Sequence, residues 1–307
     1  MKKVTILIPC YNEEASLPRL EAALNELMAH RGDYLWEILL INDGSRDRTL
    51  ELIKDMHRRD SRYRYVSLSR NFGKEAAMLA GFDSAKGDCL VIMDADLQHP
   101  PTAIPSMLKE WEAGYEDVYA RRSDPVKESW LRHQMRKVYY RLLQKVSDID
   151  ILQNVGDFRL LDRKCIVALR QLRETQRYTK GMYCWIGFRK KEVLFEQGER
   201  LDGQSSFNFW RLLKLSIEGI TSYTTSPLRI ATVLGLVCSL IAFGYMVYIL
   251  FNTLMFGDPV QGYPTIMVVM LFLGGAQLLS LGIIGEYLGR VFHESKHRPV
   301  YIVSEES

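Results

Sequence analysis

The sequence predicts an α/β domain on a mostly parallel sheet, followed by two membrane-length apolar segments. Three observations carry this. Short apolar runs alternate with helical stretches through the first 120 or so residues, with short connections, the pattern of a parallel sheet covered on both faces. Each run stops at a polar cluster: Tyr11/Asn12/Glu13, Asp43, Asn71/Lys74 and Asp94/Asp96. Ile230 to Phe256 and Tyr263 to Ile284 contain no charged residue, and each is about as long as the ~20 apolar residues a membrane helix needs.

Taken in order, Val4–Ile8 reads as a buried strand. Pro9-Cys10-Tyr11-Asn12-Glu13-Glu14 turns the chain, and Ser16 is expected to cap a helix through Met28. Glu37–Ile41 is the second strand, ending at Asn42-Asp43-Gly44-Ser45. Asp47 is expected to cap a helix running to about His57. Tyr63–Leu68 is the third strand, Glu75–Ala85 the next helix, and Leu90–Met93 the fourth strand. A helix after Pro105 carries Met107, Leu108 and Trp111, and Tyr115–Ala120 is a further strand.

Asp94 and Asp96 leave the core together, and His99-Pro100-Pro101 forbids strand or helix immediately after them. Open α/β sheets bind ligands at that edge. Two acids there suit a cation, and hard oxygen ligands suit Mg²⁺ or Mn²⁺ bridging to substrate phosphates. A bare Asp-x-Asp also fits a solvated acidic turn; the preceding strand and the prolines favour the ligand site. In a parallel sheet the other polar strand ends converge there, so one crevice collects Tyr11, Glu13, Asp43, Asn71 and Lys74.

The second half differs in character. From Glu128 to Val146, Leu131, Met135, Val138, Leu142 and Val146 form one helical stripe flanked by Arg and Lys. Such a helix suits an anionic lipid surface, although an ordinary surface helix fits equally well. Phe207 to Tyr223 is a second amphipathic stretch, just upstream of the first apolar segment. Gly156-Asp157-Phe158-Arg159 sets an acid in a turn before a short apolar segment. The loop Gly257–Gly262 has no Lys or Arg, whereas Arg211, Lys214 and Arg229 precede the first span and Arg290, Lys296 and Arg298 follow the second. That asymmetry puts both termini in the cytoplasm. The expected division is a cytosolic domain over 1–228, a transmembrane hairpin over 229–290 and a cytosolic tail over 291–307. Gly285-x-x-x-Gly289 and Ala276-x-x-x-Ser280 permit close helix packing and favour a homo-oligomer.

Composition narrows the classes. A net charge of +3 over 307 residues is too mild for a nucleic-acid binder. The five cysteines are scattered without a Cys-x-x-Cys, which favours reduced thiols over disulfides or zinc. The N-terminal apolar run is too short for a signal peptide.

Pro9-x-Tyr11-Asn12-Glu13, Asn42-Asp43-Gly44-Ser45, Asp94-Ala95-Asp96 and Gly156-Asp157-Phe158-Arg159 together resemble the family-2 inverting glycosyltransferases of the GT-A, Rossmann-like fold. Ser69–Lys74, Met93–Pro101 and the paired spans extend the likeness to nearly the whole chain. Within that family it resembles the polyprenyl-phosphate enzymes, most of all the bactoprenol (undecaprenyl-phosphate) glucosyltransferases of O-antigen and lipopolysaccharide modification, and more loosely dolichol-phosphate mannose synthases. The resemblance implies a nucleotide-sugar donor, UDP-glucose best, a polyprenyl-phosphate acceptor, and Mg²⁺ or Mn²⁺. It implies that Pro9, Tyr11, Glu13 and Asp43 hold the base and ribose. Asp94 would contact ribose or metal, and Asp96 would ligate the metal. Asp157 falls at the family's catalytic-base position, and Arg177, Lys180, Arg200 and Ser205 would face phosphates. Asn42 departs from the family, which often has Asp there. The implied setting is the bacterial inner membrane.

Two other functions compete. Processive polysaccharide synthases carry Gln-x-x-Arg-Trp, whereas Gln197-Gly198-Glu199-Arg200-Leu201 lacks the Trp, and two spans are few for a polymer channel. A non-catalytic nucleotide-sugar binder would not need both Asp96 and Asp157. A dehydrogenase is disfavoured because no Gly-x-Gly-x-x-Gly follows the first strand.

Overall fold

The computed structural model describes residues 1–123, 155–175, 177–195 and 262–307, with scattered positions between 235 and 255. The amphipathic stretches at 128–146 and 207–223, Arg200, Ser205 and most of the first apolar segment lie outside the described residues.

The chain divides into two compact units. Met1–Lys145, Ile149–Leu213 and Arg298–Ser307 make the first; Val146–Asp148 and Lys214–His297 make the second. The described strands of the first are β1 (Lys3–Cys10), β2 (Leu35–Asn42), β3 (Tyr63–Leu68), β4 (Cys89–Ile92), β5 (Asp117–Arg122), β6 (Val155–Asp162), β7 (Lys190–Phe195) and β8 (Val303–Glu306). They form one sheet in the order β7-β5-β6-β4-β1-β2-β3-β8. The four central strands β4, β1, β2 and β3 are parallel. β6 runs antiparallel to both β4 and β5, and β7 parallel to β5. The helices are α1 (Leu17–His30), α2 (Thr49–Arg59), α3 (Lys74–Ser84), α4 (Ile104–Glu112), α5 (Arg163–Gln171) and α6 (Thr179–Trp185).

Alternation along each strand builds two cores. Val4, Ile6 and Ile8 of β1 pack with Leu20 and Leu24 of α1, while Leu7 faces Ala77 and Ala80 of α3. Each fully buried Leu or Ile contributes roughly 1.5–3 kcal/mol relative to exposure. Residues Ala76 to Phe82 of α3 are all buried because that helix lies between the sheet and α5. Its Ala and Gly residues keep the separation small.

Two caps differ from expectation. Ser16 holds the N-cap position of α1 but caps nothing; its hydroxyl donates to the Glu13 carbonyl at 3.2 Å and to the Glu13 carboxylate. Arg48, not Asp47, is the N-cap residue of α2, although Asp47 Oδ1 still accepts from the Thr49 amide at 3.1 Å.

Asp157 is also placed differently. It lies inside β6, not in a turn. Antiparallel pairing with register Ile92↔Arg159 carries the start of β6 to the level where β4 releases Asp94. The tail brings another unforeseen strand. β8 pairs with β3, the Ser69 amide donates to the Ile302 carbonyl at 2.9 Å, and Tyr301 Oη donates to Asp83 Oδ2 at 2.6 Å. The tail therefore covers the sheet edge beside the loop that carries Asn71.

In the second unit, α7 spans Tyr263–Ser295 and contains the second expected span. Among the described residues no helix is long and apolar enough to cross a membrane. α7 nevertheless exposes Met270, Leu278, Leu281 and Leu288 by more than half.

Candidate active site

β1 has β2 on one side and β4 on the other, so the chain reverses its direction of growth across the sheet between β1 and β4. Ligand crevices form at such switch points, outside the carboxyl ends of the strands. A cavity of about 340 Å³ lies there, within the range of small-molecule sites. Pro9 at the end of β1, Tyr11 and Glu13 after it, Asp43 after β2, Asn71 and Lys74 after β3, and Asp94 and Asp96 after β4 all line it. The structure thus brings together eight of the expected site residues.

Backbone bonds lock the loops. Phe72 and Gly73 amides donate to Asp43 Oδ1 and Oδ2 at 2.7 and 2.9 Å. Burial pushes the Asp43 carboxyl up, and those two amides pull against it. Each oxygen keeps a lone pair for a ligand. Gly44 has φ +62°, and a Cβ there would lie 2.3 Å from the Arg70 carbonyl carbon, so only glycine allows the two loops to meet. Asn42 is structural: its Nδ2 donates to Ser67 Oγ at 2.9 Å and its Oδ1 accepts from the Ser45 amide at 3.2 Å. The Glu13 amide donates to Thr49 Oγ1 at 2.8 Å, which ties the first loop to α2. Burial raises the Glu13 carboxyl, the Ser16 hydroxyl opposes this, and the charges of Asp96 and Asp94 add to the rise.

The charged centre is a triad. Lys74 Nζ lies 2.6 Å from Asp94 Oδ1 and 3.0 Å from Asp157 Oδ2. Burial alone would lower the Lys74 ammonium and raise the Asp157 carboxyl. The ion pairs outweigh burial, so Lys74 is held above its usual value and Asp157 below. Lys180 is the next largest charge acting on Asp157. Asp157 Oδ1 is buried and has no hydrogen-bond partner among the described residues. Asp96 is exposed, and among the described residues its oxygens accept from its own turn alone: from the Gln98 amide at 3.1 Å and Gln98 Nε2 at 2.7 Å.

Arg177 and Lys180 do not line the cavity. Arg177 Nη1 donates to the Leu172 carbonyl, and Lys180 sits in the first turn of α6. Three neighbours escaped sequence reasoning. His99 Nδ1 accepts from the Asp94 amide at 3.3 Å, and its ring stacks on Phe158 at 4.8 Å. Burial lowers His99, so the ring is neutral near pH 7. Arg159 pairs with buried Asp117 at 3.1 Å and lies over the Tyr183 ring at 3.7 Å. Glu75 reaches the start of α6. His99 and Arg159 stood inside visible motifs; Glu75 looked like an ordinary acid in the first turn of a helix.

Among the described residues no group of three His, Cys, Asp or Glu side chains could hold a metal unaided. Asp94 and Asp96 supply two hard oxygen donors, which fits a hard divalent ion that takes its remaining ligands from a substrate's phosphates and water. Four carboxylates and one ammonium line the cavity, so an added cation would also offset their repulsion toward an anionic ligand.

Residues 5–169, more than half of the chain and all of the cavity, match the profile described as Glycosyl transferase family 2. The chain belongs to glycosyl transferase family 2. Residues 226–291 of this glycosyltransferase match a second profile, the GtrB C-terminal hairpin. It is 43% identical over 303 residues to the uncharacterized glycosyltransferase sll0501 of Synechocystis sp., covering 99% of this chain and 95% of that protein. It is 41% identical over 304 residues to the bactoprenol glucosyl transferase of Shigella phage SfV, covering 99% of each. The glycosyltransferase CsbB of Bacillus subtilis, whose assignment is putative by its own name, is 42% identical over 302 residues, covering 98% of this chain and 91% of that one. The resemblance drawn from the motifs therefore holds over the whole length, and the mostly parallel α/β sheet is the GT-A-like fold expected of the transferase.

Proposed function

We propose that the enzyme transfers one glucose, with inversion, from UDP-glucose to undecaprenyl phosphate at the cytoplasmic face of the bacterial inner membrane, for O-antigen or cell-envelope glycan modification. The observation that carries this is the convergence of four strand ends on one carboxylate-lined cavity with Lys74 at its centre, in a chain that matches bactoprenol glucosyl transferases end to end.

Pro9, Tyr11, Glu13 and Asp43 hold the base and ribose in this scheme. Asp96 and Asp94 hold Mg²⁺ or Mn²⁺, which when bound would neutralise charge on the diphosphate leaving group. Arg177, Lys180, Arg200 and Ser205 serve the phosphates. A phosphomonoester has a second pKa of about 6, so the acceptor is already largely a dianionic nucleophile at neutral pH. A general base works best with a pKa near the operating pH, whereas Asp157 is held low by Lys74 and Lys180. In this scheme Asp157 fixes Lys74 beside Asp94.

The two apolar segments form the membrane hairpin. The large exposed side chains of α7, among them Ile266, Met270, Phe272, Leu278 and Leu281, point round the whole circumference at ~100° per residue. A helix apolar on all sides is stable in lipid and costly in water. Flanking Arg and Lys put both termini in the cytoplasm, and a reporter fused at Ser307 should read cytoplasmic; a periplasmic signal contradicts two spans. Among the described residues no atom stands within 4 Å of a Cβ built at Gly285 or Gly289, which leaves room for a second helix in a homo-oligomer; light scattering on the detergent-solubilised protein reads that state directly.

The functional test is nucleoside diphosphate release (UDP or GDP, matching the donor) from purified full-length protein given UDP-glucose, other UDP-hexoses and GDP-mannose, each with and without undecaprenyl phosphate. UDP-glucose should be consumed only when the lipid phosphate is present. Equal release without lipid, or preference for another sugar, contradicts the proposal.

A further inference from the structure

The C-terminal tail, Arg298–Ser307, belongs to the same compact unit as the cavity. β8 covers the outer edge of β3, the last parallel strand. Protecting that edge is reason enough for a short charged strand. The contacts go further than edge protection requires. Near the end of β3 the register shifts, with Ser67 opposite Glu305 and Leu68 opposite Val303. The pairing then continues past the strand, where the Ile302 carbonyl accepts from the Ser69 amide at 2.9 Å. Ser69 leads directly into Arg70-Asn71-Phe72-Gly73.

The rest of the tail is anchored on both sides. The Tyr65 amide donates to Ser307 Oγ at 2.9 Å, and Lys54 of α2 pairs with Glu305 at 2.6 Å. Tyr301 Oη donates to Asp83 Oδ2 at 2.6 Å in α3, the helix that begins at Lys74. Arg173 holds the same carboxylate at 2.7 and 2.9 Å. Val300, Tyr301 and the loop residue Phe72 pack against one buried cluster that includes Leu68 and Ala77.

The loop is therefore fixed from two ends. Its far half is locked by the Phe72 and Gly73 amides on Asp43, and its entry at Ser69 by the tail. Between them Asn71 is exposed and lines the cavity, together with Gly73 and Lys74.

We propose that the tail is a strap for the donor site, with Tyr301 as a positioning residue: by holding Ser69 and α3 it keeps Asn71 and Lys74 at the cavity wall. This rests on the cavity holding the nucleotide-sugar donor, as proposed above. No tail residue lines the cavity, so the strap acts only through the loop and helix it grips.

The test compares the full-length protein with a truncation after Val300, Tyr301→Ala and Tyr301→Phe. KM values for UDP-glucose and undecaprenyl phosphate, calorimetric binding of UDP with Mg²⁺, and melting temperature are measured on each. The truncation should raise donor KM and UDP Kd about tenfold, the scale of one to two net hydrogen bonds, with acceptor KM within about twofold. Tyr301→Ala should move donor KM the same way by about threefold, and it carries the test if the truncated chain does not fold. Tyr301→Phe keeps the ring and loses only the bond to Asp83, so it should fall between Tyr301→Ala and the wild type. Donor and acceptor KM rising together, a lowered melting temperature with donor KM unchanged, or Tyr301→Phe no closer to the wild type than Tyr301→Ala would overturn the strap. If the wild-type protein binds no UDP, the functional proposal fails separately. Hydrogen exchange at amides 69–73 then decides the strap itself: faster exchange in the truncation and in Tyr301→Ala supports it, and exchange equal to the wild type overturns it.

Discussion

Asp96→Asn should lower turnover by about 10²–10³-fold, the usual scale for losing one electrostatic contact to a developing charge, and should leave the fold intact. Asp96 is exposed and, among the described residues, bonds only to Gln98 within its own turn. Asn keeps an oxygen for the Gln98 amide, and the Gln98 side chain can rotate its own amide to match. The stability change should stay within about 0.5 kcal/mol, as for other surface substitutions. What is lost is the anionic oxygen that a divalent ion prefers. EDTA should reproduce the defect in the wild type, and added Mg²⁺ or Mn²⁺ should reverse it. Full turnover in EDTA, or an unchanged kcat in the variant, would remove the metal from the reaction.

Lys74→Met should be comparably damaging, and to stability as well. One ammonium serves two carboxylates, at 2.6 and 3.0 Å. Asp157 is held low in the folded protein, so its contribution to stability is present above its unfolded pKa and lost as pH falls through the folded value. Lys74 is held high, so its contribution is present below its unfolded pKa and lost as pH rises through the folded value. Near pH 7 both contributions stand, and the substitution removes both. Breaking a fully buried pair costs about 3–5 kcal/mol. Lys74 is 41% exposed, so solvent screening reduces the expected loss to about 1–2 kcal/mol. Turnover should fall by about 10²-fold or more, because Asp94 would face the diphosphate without its partner. Adding Asp157→Asn to Lys74→Met should restore part of the stability, since one uncompensated charge disappears. Strictly additive effects in that double-mutant cycle would mean the three groups do not act as a unit.

The four parallel strands were legible because each carries a short, predominantly apolar run closed by turn residues. β6 was misread because Gly156-Asp157 stands at its start, behind Val155, and an acid after a glycine resembles a turn when its antiparallel partner is far away in sequence. β7 begins Lys190-Lys191-Glu192 and β8 reads Val303-Ser304-Glu305-Glu306. Edge strands carry such charges to discourage pairing with other chains, and the same charges hide them from a search for apolar runs. The strand-end polar groups gave the cavity directly. The triad did not follow from them, because Lys74 meets Asp157 through a crossover of more than eighty residues. Glu75 gave no signal at all, since its partner Thr179 lies 104 residues away.

The central claim is that this cavity serves a single transfer to a lipid phosphate. The most direct measurement incubates the full-length protein with radiolabelled UDP-glucose and undecaprenyl phosphate, then partitions the products into organic solvent. Label should enter the organic phase, stop at one glucose per lipid, be released by mild acid as a glycosyl phosphate, and disappear when the lipid lacks its phosphate. Water-soluble chains that lengthen with time, or label transferred equally to dephosphorylated lipid, would contradict it.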